Sequence, residues 1–427
     1  MSRRITPDAV AHILAQALAQ GLLDSRDTAV ICMDLDMISE RVGELQQLFP
    51  ASTLHTIAVK ANPLHAVLSP VVALGAGLEA ASINEAHMAL RAGCPNDRIV
   101  FDSPVKTIAE LEFALSIGIL INADNFQELD RIAFILADSM PASCVGLRVN
   151  PQVGQGRIPC TSVASDISKF GVPLDQRELI IDRFKAHAWL TGLHCHVGSQ
   201  GCSLVQLVTA AQRLLDLARD VNNACGRKQV RVLDMGGGLP APYHAGESTT
   251  LPDMAAYVAA LRNDVPGLLD GEFRLITEFG RHVLANSAFA ASRVEYVKDQ
   301  AGQRTALIHL GADMFLRKCY QPGHWHHDLS VLDPLGHVKA GPAVPQHVAG
   351  PLCFAGDYLA ADAKLPLMEP GDWVAIHDAG AYTLSMWSRY NSRSMPKVLG
   401  AVRQGGKLGI RVLKERESLD QVGAFWA

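Results

Sequence analysis

The sequence lacks a basic run and a long unbroken apolar stretch, and each absence excludes a class of protein. Lys and Arg number 38 against 43 Asp and Glu, which gives a net charge of -5. Nucleic acid and anionic membrane surfaces are therefore poor partners. No segment approaches the roughly 20 apolar residues of a membrane helix. No apolar region follows Arg3 and Arg4, so we expect no secretory signal and a cytoplasmic protein.

Paired cysteine motifs are also absent. The nine cysteines are odd in number, widely spread, and include no C-x-x-C pair. This pattern is typical of reduced thiols in a cytosolic protein and argues against a disulfide framework or a zinc site.

What the sequence does contain is a large apolar fraction arranged in a rhythm. Of the 427 residues, 48% are hydrophobic and 19% charged, which predicts a globular enzyme with two domains. Short apolar runs alternate with amphipathic segments such as 106–117 and 204–221. This alternation is typical of parallel βα units. The eight runs lie at 57–60, 77–82, 98–103, 119–124, 145–150, 190–198, 230–236 and 274–278.

Eight such units over about 230 residues predict a (β/α)8 TIM-like barrel. An open doubly wound sheet is the alternative, but it needs a phosphate fingerprint after its first strand, which Lys60-Ala-Asn-Pro does not provide. After about residue 285, short apolar segments with Gly and Pro punctuation predict an antiparallel β domain of the sandwich or β-barrel type. The strand at 29–34 can join it. We therefore predict a barrel at 35–284 and a β domain from 1–34 and 285–427.

Candidate chemistry lies where the predicted barrel strands end, because active sites of such barrels lie at that face. Lys60 ends the first strand, and a partly desolvated lysine is suited to Schiff-base chemistry, although a solvated strand terminus is the alternative. The other strand ends carry the segments 194–200, 234–238 and 278–281. All four sets of residues fall on one face of the predicted barrel.

Each of these segments suits one part of a cofactor. Gly236-Gly237-Gly238, with Ser199, can cup a phosphate, although a tight turn would explain the glycines equally. His196 can stack on a flat ring, whereas a pair of core histidines is the alternative. Glu278 can bind a pyridine nitrogen, or it can simply pair with Arg281. Together these features indicate pyridoxal 5′-phosphate (PLP), and they indicate no metal.

Several motifs resemble those of the fold-type III PLP decarboxylases, the alanine-racemase-like family of diaminopimelate, ornithine and arginine decarboxylases. The diaminopimelate branch is the most similar. The matches run from about residue 28 to 402 and comprise AVKAN at 58–62, GLHCHVGSQ at 192–200, LDMGGGL at 233–239, EFGR at 278–281, GPLCFAGD at 350–357, GAYTLSM at 380–386 and YNSR at 390–393.

The resemblance implies a role for each matching residue. Lys60 forms the internal aldimine, His196 stacks on the ring, and Glu278 contacts the pyridine nitrogen. Cys353, from the partner subunit of a homodimer, protonates Cα. The phosphate and the neighbouring substrate region are surrounded by Ser199, Gly236, Gly237, Gly238, Gly280, Arg281 and Tyr382. Alanine racemases place an arginine at the pyridine nitrogen, so Glu278 favours decarboxylation.

The departures from the family pattern concern the substrate. Relatives have an acid directly after the active-site cysteine, where it binds a distal ammonium, but this chain has Phe354. Arg317 and Tyr320 are one residue closer together than usual, and Phe279 replaces a proline. Arg281 and Arg317 are available for a distal carboxylate, or Arg317 forms a surface ion pair.

We therefore expect decarboxylation of an amino acid with an acidic or acylated tail, of the kind used in siderophore or antibiotic pathways, such as citryl-diaminopropionate. Decarboxylation of meso-diaminopimelate to L-lysine is the alternative. Two other classes remain open. One is a non-catalytic PLP carrier. The other is a metal-dependent hydrolase using His194, His196 and the run 324–328.

Overall fold

The computed structural model describes residues 4–137 and 139–427. The helices, labelled in chain order, are α1 Pro7–Ala19, α2 Leu35–Leu48, α3 His65–Ala73, α4 Ile83–Arg91, α5 Ile108–Ile117, α6 Phe126–Leu136, α7 Arg177–Ala186, α8 Leu204–Cys225, α9 Met254–Asp264, α10 Gly280–Leu284, α11 Leu316–Tyr320 and α12 Leu419–Trp426.

The strands are β1 Ala29–Asp34, β2 Leu54–Ala58, β3 Gly77–Ala80, β4 Ile99–Phe101, β5 Leu120–Ala123, β6 Val145–Asn150, β7 Val172–Pro173, β8 Leu190–Cys195, β9 Val232–Asp234, β10 Arg274–Thr277, β11 Ala288–Gln300, β12 Gln303–Ile308, β13 Leu329–Leu332, β14 Ala343–Ala349, β15 Tyr358–Pro366, β16 Trp373–Ile376, β17 Lys397–Gln404 and β18 Lys407–Lys414.

Contacts divide the chain into two compact units. The sheet unit comprises Met1–Ile38, Pro242–Thr250 and Leu284–Ala427, and the barrel unit comprises Ser39–Ala241 and Leu251–Val283. Among the described residues, no helix combines the length and apolar character that crossing a membrane requires.

The barrel unit is a closed parallel sheet of eight strands. Their order is β5-β4-β3-β2-β10-β9-β8-β6, and β5 pairs with β6 to close the ring. Each of the eight predicted apolar runs overlaps one of these strands, so the barrel prediction is confirmed. The short β7 extends the sheet beside β6 and was not predicted.

Local sequence explains why the barrel helices begin and end where they do. Helix α8 starts with a capping box in which the Ser203 side chain accepts from the Gln206 amide and the Gln206 side chain accepts from the Ser203 amide. It ends at Gly226, whose φ of 61° is unfavourable for other residues. Its apolar stripe, which includes Leu207, Leu214 and Leu217, is buried. The helix therefore packs on the strands by burial of one face.

The sheet unit is mixed rather than wholly antiparallel. Six of its strand pairings are antiparallel, but β1–β17 and β12–β14 are parallel. The antiparallel prediction misses these two because neither pair is joined by a hairpin, and a long connection allows either direction. β1 lies between β11 and β17 in this sheet.

Three strands of the sheet unit, β13, β15 and β18, were missed. β18 alternates exposed and half-buried residues along its length, and β15 is also largely exposed. Such strands carry too few apolar residues to be recognised by a continuous apolar run. The core of the sheet unit is nevertheless well packed, with Trp373, Phe289 and Leu14 fully buried.

Candidate active site

Lys60 was predicted to end a strand, but it lies just after one. Strand β2 stops at Ala58, and Lys60 lies in a single 3-10 turn, Val59–Ala61. The turn lets the side chain leave the barrel wall, and its Nζ lies 2.6 Å from both carboxylate oxygens of Glu79. Gly280 packs against this turn, and a Cβ there would lie 2.9 Å from the Cβ atoms of Ala58 and Ala61.

The partner of Lys60 is a fully buried acid that the sequence reasoning missed. Glu79 lies on β3, and its side chain is 0% exposed. Burial raises the pKa of Glu79 to about 8, although the Lys60 ammonium acts in the opposite direction. The pair therefore places an amine and a weakly acidic carboxyl in direct contact.

The end of β8 positions two histidines differently. His194 is buried, with Nδ1 3.6 Å from an Asp102 oxygen and Nε2 3.7 Å from a Glu278 oxygen. His196 lies just beyond the strand, and its Nδ1 accepts a hydrogen bond of 3.1 Å from the Gly237 amide. Burial lowers the pKa of His196 to about 3, and the Arg148 charge adds to the effect. His196 is therefore neutral, as a ring that stacks on a cofactor should be.

The glycines after β9 form a turn with no room for side chains. A Cβ on Gly237 would lie 2.5 Å from the Glu278 carbonyl oxygen, and one on Gly238 would lie 2.8 Å from the Gly198 carbonyl oxygen. Two of the three amides already donate within the protein. Gly236 donates to Asp234 Oδ1 and Gly237 donates to His196. The cup predicted for a phosphate therefore has fewer uncommitted amides than expected.

Arg281 supplies the positive charge beside this turn. Its Nε and Nη2 donate to Ser199 Oγ at 3.0 and 2.9 Å, and its side chain is buried. A guanidinium held against a hydroxyl next to a glycine turn is suited to an anion such as a phosphate.

Glu278 is buried at the end of β10, and one of its oxygens lacks a partner. Oε1 has no hydrogen bond among the described residues, whereas Oε2 faces His194. Burial raises the pKa of Glu278, but the His194 charge prevails and the net shift is downward. Glu278 is thus an anion with an unused acceptor atom.

Further charged residues occupy the same barrel centre, and none was predicted. Arg148 Nη1 donates to Asp102 Oδ2 at 3.3 Å, and Asn122 Nδ2 donates to Asp234 Oδ2 at 3.2 Å. Burial raises the pKa of Asp234 to about 8. A signal existed in the sequence, because Arg148, Asp234 and Glu79 are charged residues within otherwise apolar strands, where burial without a partner is costly.

The remaining predicted site residues lie in the sheet unit. Arg317 lies between two rings, with Cζ 4.8 Å from the Trp325 centroid and 5.0 Å from that of Tyr382. Tyr382 has a φ of 56°, a strained value for a residue with a side chain.

Phe354, the residue that stands where relatives have an acid, packs against another aromatic side chain. Its ring stacks on Tyr320, with centroids 4.7 Å apart and planes inclined by 11°. The neighbouring Cys353 is exposed, its amide donates to Asn391 Oδ1, and its carbonyl accepts from the Tyr390 hydroxyl.

Comparisons with known proteins match nearly the whole chain. The family model described as pyridoxal-dependent decarboxylase, pyridoxal binding domain, matches residues 35–285. Diaminopimelate decarboxylase of Helicobacter pylori is 32% identical over 405 residues, 94% of this chain and 96% of the relative. The Methanothermobacter thermautotrophicus enzyme of that name is 31% identical and covers 96% of this chain. The crystal structure of the H. pylori enzyme complexed with L-lysine superposes with a TM-score of 0.83 at 30% identity, covering 96% of this chain and 99% of the other.

Proposed function

This chain belongs to the pyridoxal-dependent decarboxylase family, and from that premise we propose that it decarboxylates diaminopimelate and yields lysine. The protein is a PLP-dependent amino-acid decarboxylase, a carboxy-lyase. The family assignment makes it an enzyme rather than a carrier of the cofactor. The choice of diaminopimelate is supported by relatives named diaminopimelate decarboxylase, which align with this chain over nearly their whole length.

The single observation that carries the chemistry is Glu278 Oε1, a buried carboxylate oxygen without a partner among the described residues. A protonated pyridine nitrogen is a donor of the right kind for this acceptor. The glycine turn at 236–238 has no space for a Cβ, and Arg281 lies beside it. The residues of the barrel therefore fit PLP.

Roles can be assigned to the barrel residues on this basis. When bound, PLP supplies an electron sink for the charge left on Cα after carbon dioxide departs. Lys60 provides the amine that holds the cofactor, and Glu79 accepts or returns a proton at Nζ over 2.6 Å. Glu278 Oε1 would accept from the pyridine nitrogen, and His196 would cover the ring. Ser199, Gly280 and Arg281 would bind the phosphate and the adjacent part of the substrate, and the glycines 236–238 would let it approach the backbone closely, although the amides of Gly236 and Gly237 already donate elsewhere.

The sheet unit supplies the other part of the proposal. In this unit, Arg317, Tyr320 and Tyr382 are the proposed substrate-binding residues. We propose that the enzyme is a homodimer in which Cys353 Sγ gives the proton to Cα in the partner's site. The exposure of Cys353 supports a role outside its own subunit. Variants Lys60→Ala and Cys353→Ala, inactive separately, should regain activity when mixed if the sites are shared.

The second candidate is decarboxylation of a substrate with an acidic or acylated tail. It is favoured by Phe354, which stacks on Tyr320 where relatives have an acid, because neither ring carries the negative charge that would pair with a distal ammonium. Arg317 remains near aromatic rings and suits a carboxylate at the far end of such a tail.

One assay separates the two candidates. The PLP-loaded protein is incubated with meso-diaminopimelate, and carbon dioxide and lysine are measured. Formation of both supports diaminopimelate as the substrate. The second candidate is supported if the wild type forms no lysine and Phe354→Glu gains turnover of meso-diaminopimelate. The control is Phe425→Glu, which changes an exposed residue and should gain none.

A further inference from the structure

A fully buried histidine lies between two carboxylates at the barrel centre. The His194 side chain is 0% exposed, and its two ring nitrogens face Asp102 at 3.6 Å and Glu278 at 3.7 Å. Neither nitrogen has a closer hydrogen-bond partner among the described residues. A neutral imidazole would direct one lone pair at a carboxylate, which is repulsive. An imidazolium presents an N–H to each side.

The surrounding charges favour the same state. Burial opposes protonation of His194, but Asp102, Asp234 and Glu278 together raise its pKa to about 9. Arg148 and His194 in turn hold the pKa of Asp102 well below its usual range, despite its burial. The other titratable groups that act on this cluster from neighbouring elements are Lys60, Glu79, Lys106 and His196.

The consequence concerns the carboxylate that faces the cofactor. Oε2 of Glu278 is directed to His194, so Oε1 is the atom left for another donor. We propose that His194, held as an imidazolium between Asp102 and Glu278, is a positioning residue that keeps Glu278 ionised and its Oε1 turned toward the cofactor's pyridine nitrogen. This rests on the proposed function only in using PLP, and it assigns no substrate.

A cation is the competing occupant of this cluster. One ligand atom from each of Asp102, His194 and Glu278 lies within 4.8 Å of the others, so the set has the compactness of a metal site. A metal would require a neutral imidazole. The protonation state of His194 therefore distinguishes the two.

The first experiment measures that state in the cofactor-free protein. Histidine ring nitrogens are labelled with nitrogen-15, His194 is assigned by comparison with His194→Gln, and spectra are recorded at pH 7.5 with and without a chelator. We expect a doubly protonated ring that the chelator leaves unchanged. A neutral ring, or one that changes on chelation, overturns the proposal. His55, a buried barrel histidine whose pKa burial lowers to about 4, provides the neutral reference.

The second experiment measures the coupling to Glu278. PLP affinity and the pH dependence of the bound cofactor's absorption are compared for His194→Gln, Glu278→Gln, the double variant and the control His55→Gln. We expect His194→Gln to weaken PLP binding by about tenfold and to shift the titration, and to add nothing in the Glu278→Gln background. An undiminished effect in that background indicates a merely structural role and overturns the proposal.

These readouts are independent of the substrate. If diaminopimelate is not decarboxylated while both results are as expected, the proposed function fails and the role of His194 stands. If His194 is neutral while lysine is formed, the role of His194 fails and the proposed function stands.

Discussion

The two units of the chain arrange their charged residues differently. The barrel buries Glu79, Asp102, Asp234 and Glu278 at its centre and compensates them with Lys60, Arg148 and His194. The sheet unit also buries acids, but it pairs them at separate places, as Asp313 with Arg393 and Asp372 with Lys339. Its predicted site residues lie among aromatic rings, with Arg317 near two rings and Phe354 on Tyr320. The comparison teaches that the proposed cofactor residues of the barrel lie in a dense charge network, whereas the proposed substrate residues of the sheet unit lie among aromatic rings.

The largest expected effect comes from removing the amine. Lys60→Ala should abolish the visible absorption of the bound cofactor and lower decarboxylation by at least about a thousandfold, because no other amine contacts the cofactor in the proposed role. Glu79, whose pKa is already raised to about 8, takes up a proton and limits the cost to folding.

Absorbance, carbon dioxide release and thermal unfolding check this together. The control is Lys364→Ala, which removes an exposed lysine of the sheet unit. Retention of the cofactor band in Lys60→Ala would sink the assignment of Lys60 and with it the central premise of the comparison.

The next effect concerns the glycine turn. Gly237→Ala places a Cβ 2.5 Å from the Glu278 carbonyl oxygen, a backbone atom that cannot move without shifting the strand end. We expect PLP to bind about tenfold to a hundredfold more weakly, in the range of overpacking penalties of 1–3 kcal/mol. Gly409→Ala in the sheet unit meets nothing closer than 3.6 Å and serves as the control. Equal affinities for the two variants, measured by fluorescence titration, would show that the turn is not part of the cofactor site.

A smaller effect is expected at the substrate end. Trp325→Leu removes one of the two rings beside the Arg317 guanidinium, so KM should rise several-fold while kcat changes less, consistent with a cation–π contribution of roughly 0.5–2 kcal/mol. The matched control is Trp373→Leu, because Trp373 is likewise buried and lies 5.1 Å from the Arg293 guanidinium. If both variants lose stability and both raise KM alike, the specific role of Trp325 is wrong.

The smallest effect tests whether buried imidazoles behave alike in both units. His55 in the barrel has a pKa lowered by burial to about 4, and burial also lowers that of His377 in the sheet unit. Because the folded-state pKa of each ring is lowered, the unfolded chain, in which the imidazole takes up a proton below about pH 6.5, is protonated before the folded chain as the pH falls. The folded state therefore loses stability as the pH falls through this window, by up to about 1.4 kcal/mol per pH unit for each ring.

Urea unfolding of the cofactor-free protein checks this prediction. The stability difference between the wild type and His55→Gln, or His377→Gln, should shrink between pH 7 and pH 5. A difference that stays constant means that the ring is protonated in the folded state as well.

Much of the fold could be read from the sequence because its signals are local. Continuous apolar strands alternating with amphipathic helices predict a parallel barrel, and the closed ring of eight strands confirms it. The motifs around Lys60, Gly236–Gly238 and Glu278 likewise predict a PLP decarboxylase, which the family match confirms. Half-exposed strands such as β18 escaped, because their pattern is weak along the chain.

What tertiary structure alone decided is which charges meet. The sequence predicts that Lys60 and His194 lie at the ends of barrel strands. It does not predict that Glu79 contacts the lysine or that Asp102 faces the imidazole. These partners lie 19 and 92 residues apart in the chain. Glu79 meets Lys60 because β2 and β3 are neighbours in the sheet, whereas Asp102, which follows β4, meets His194 of β8 across the closed barrel. The physical reason is that the pKa of a buried group depends on its neighbours in space, and a closed barrel selects those neighbours by strand order rather than by sequence distance.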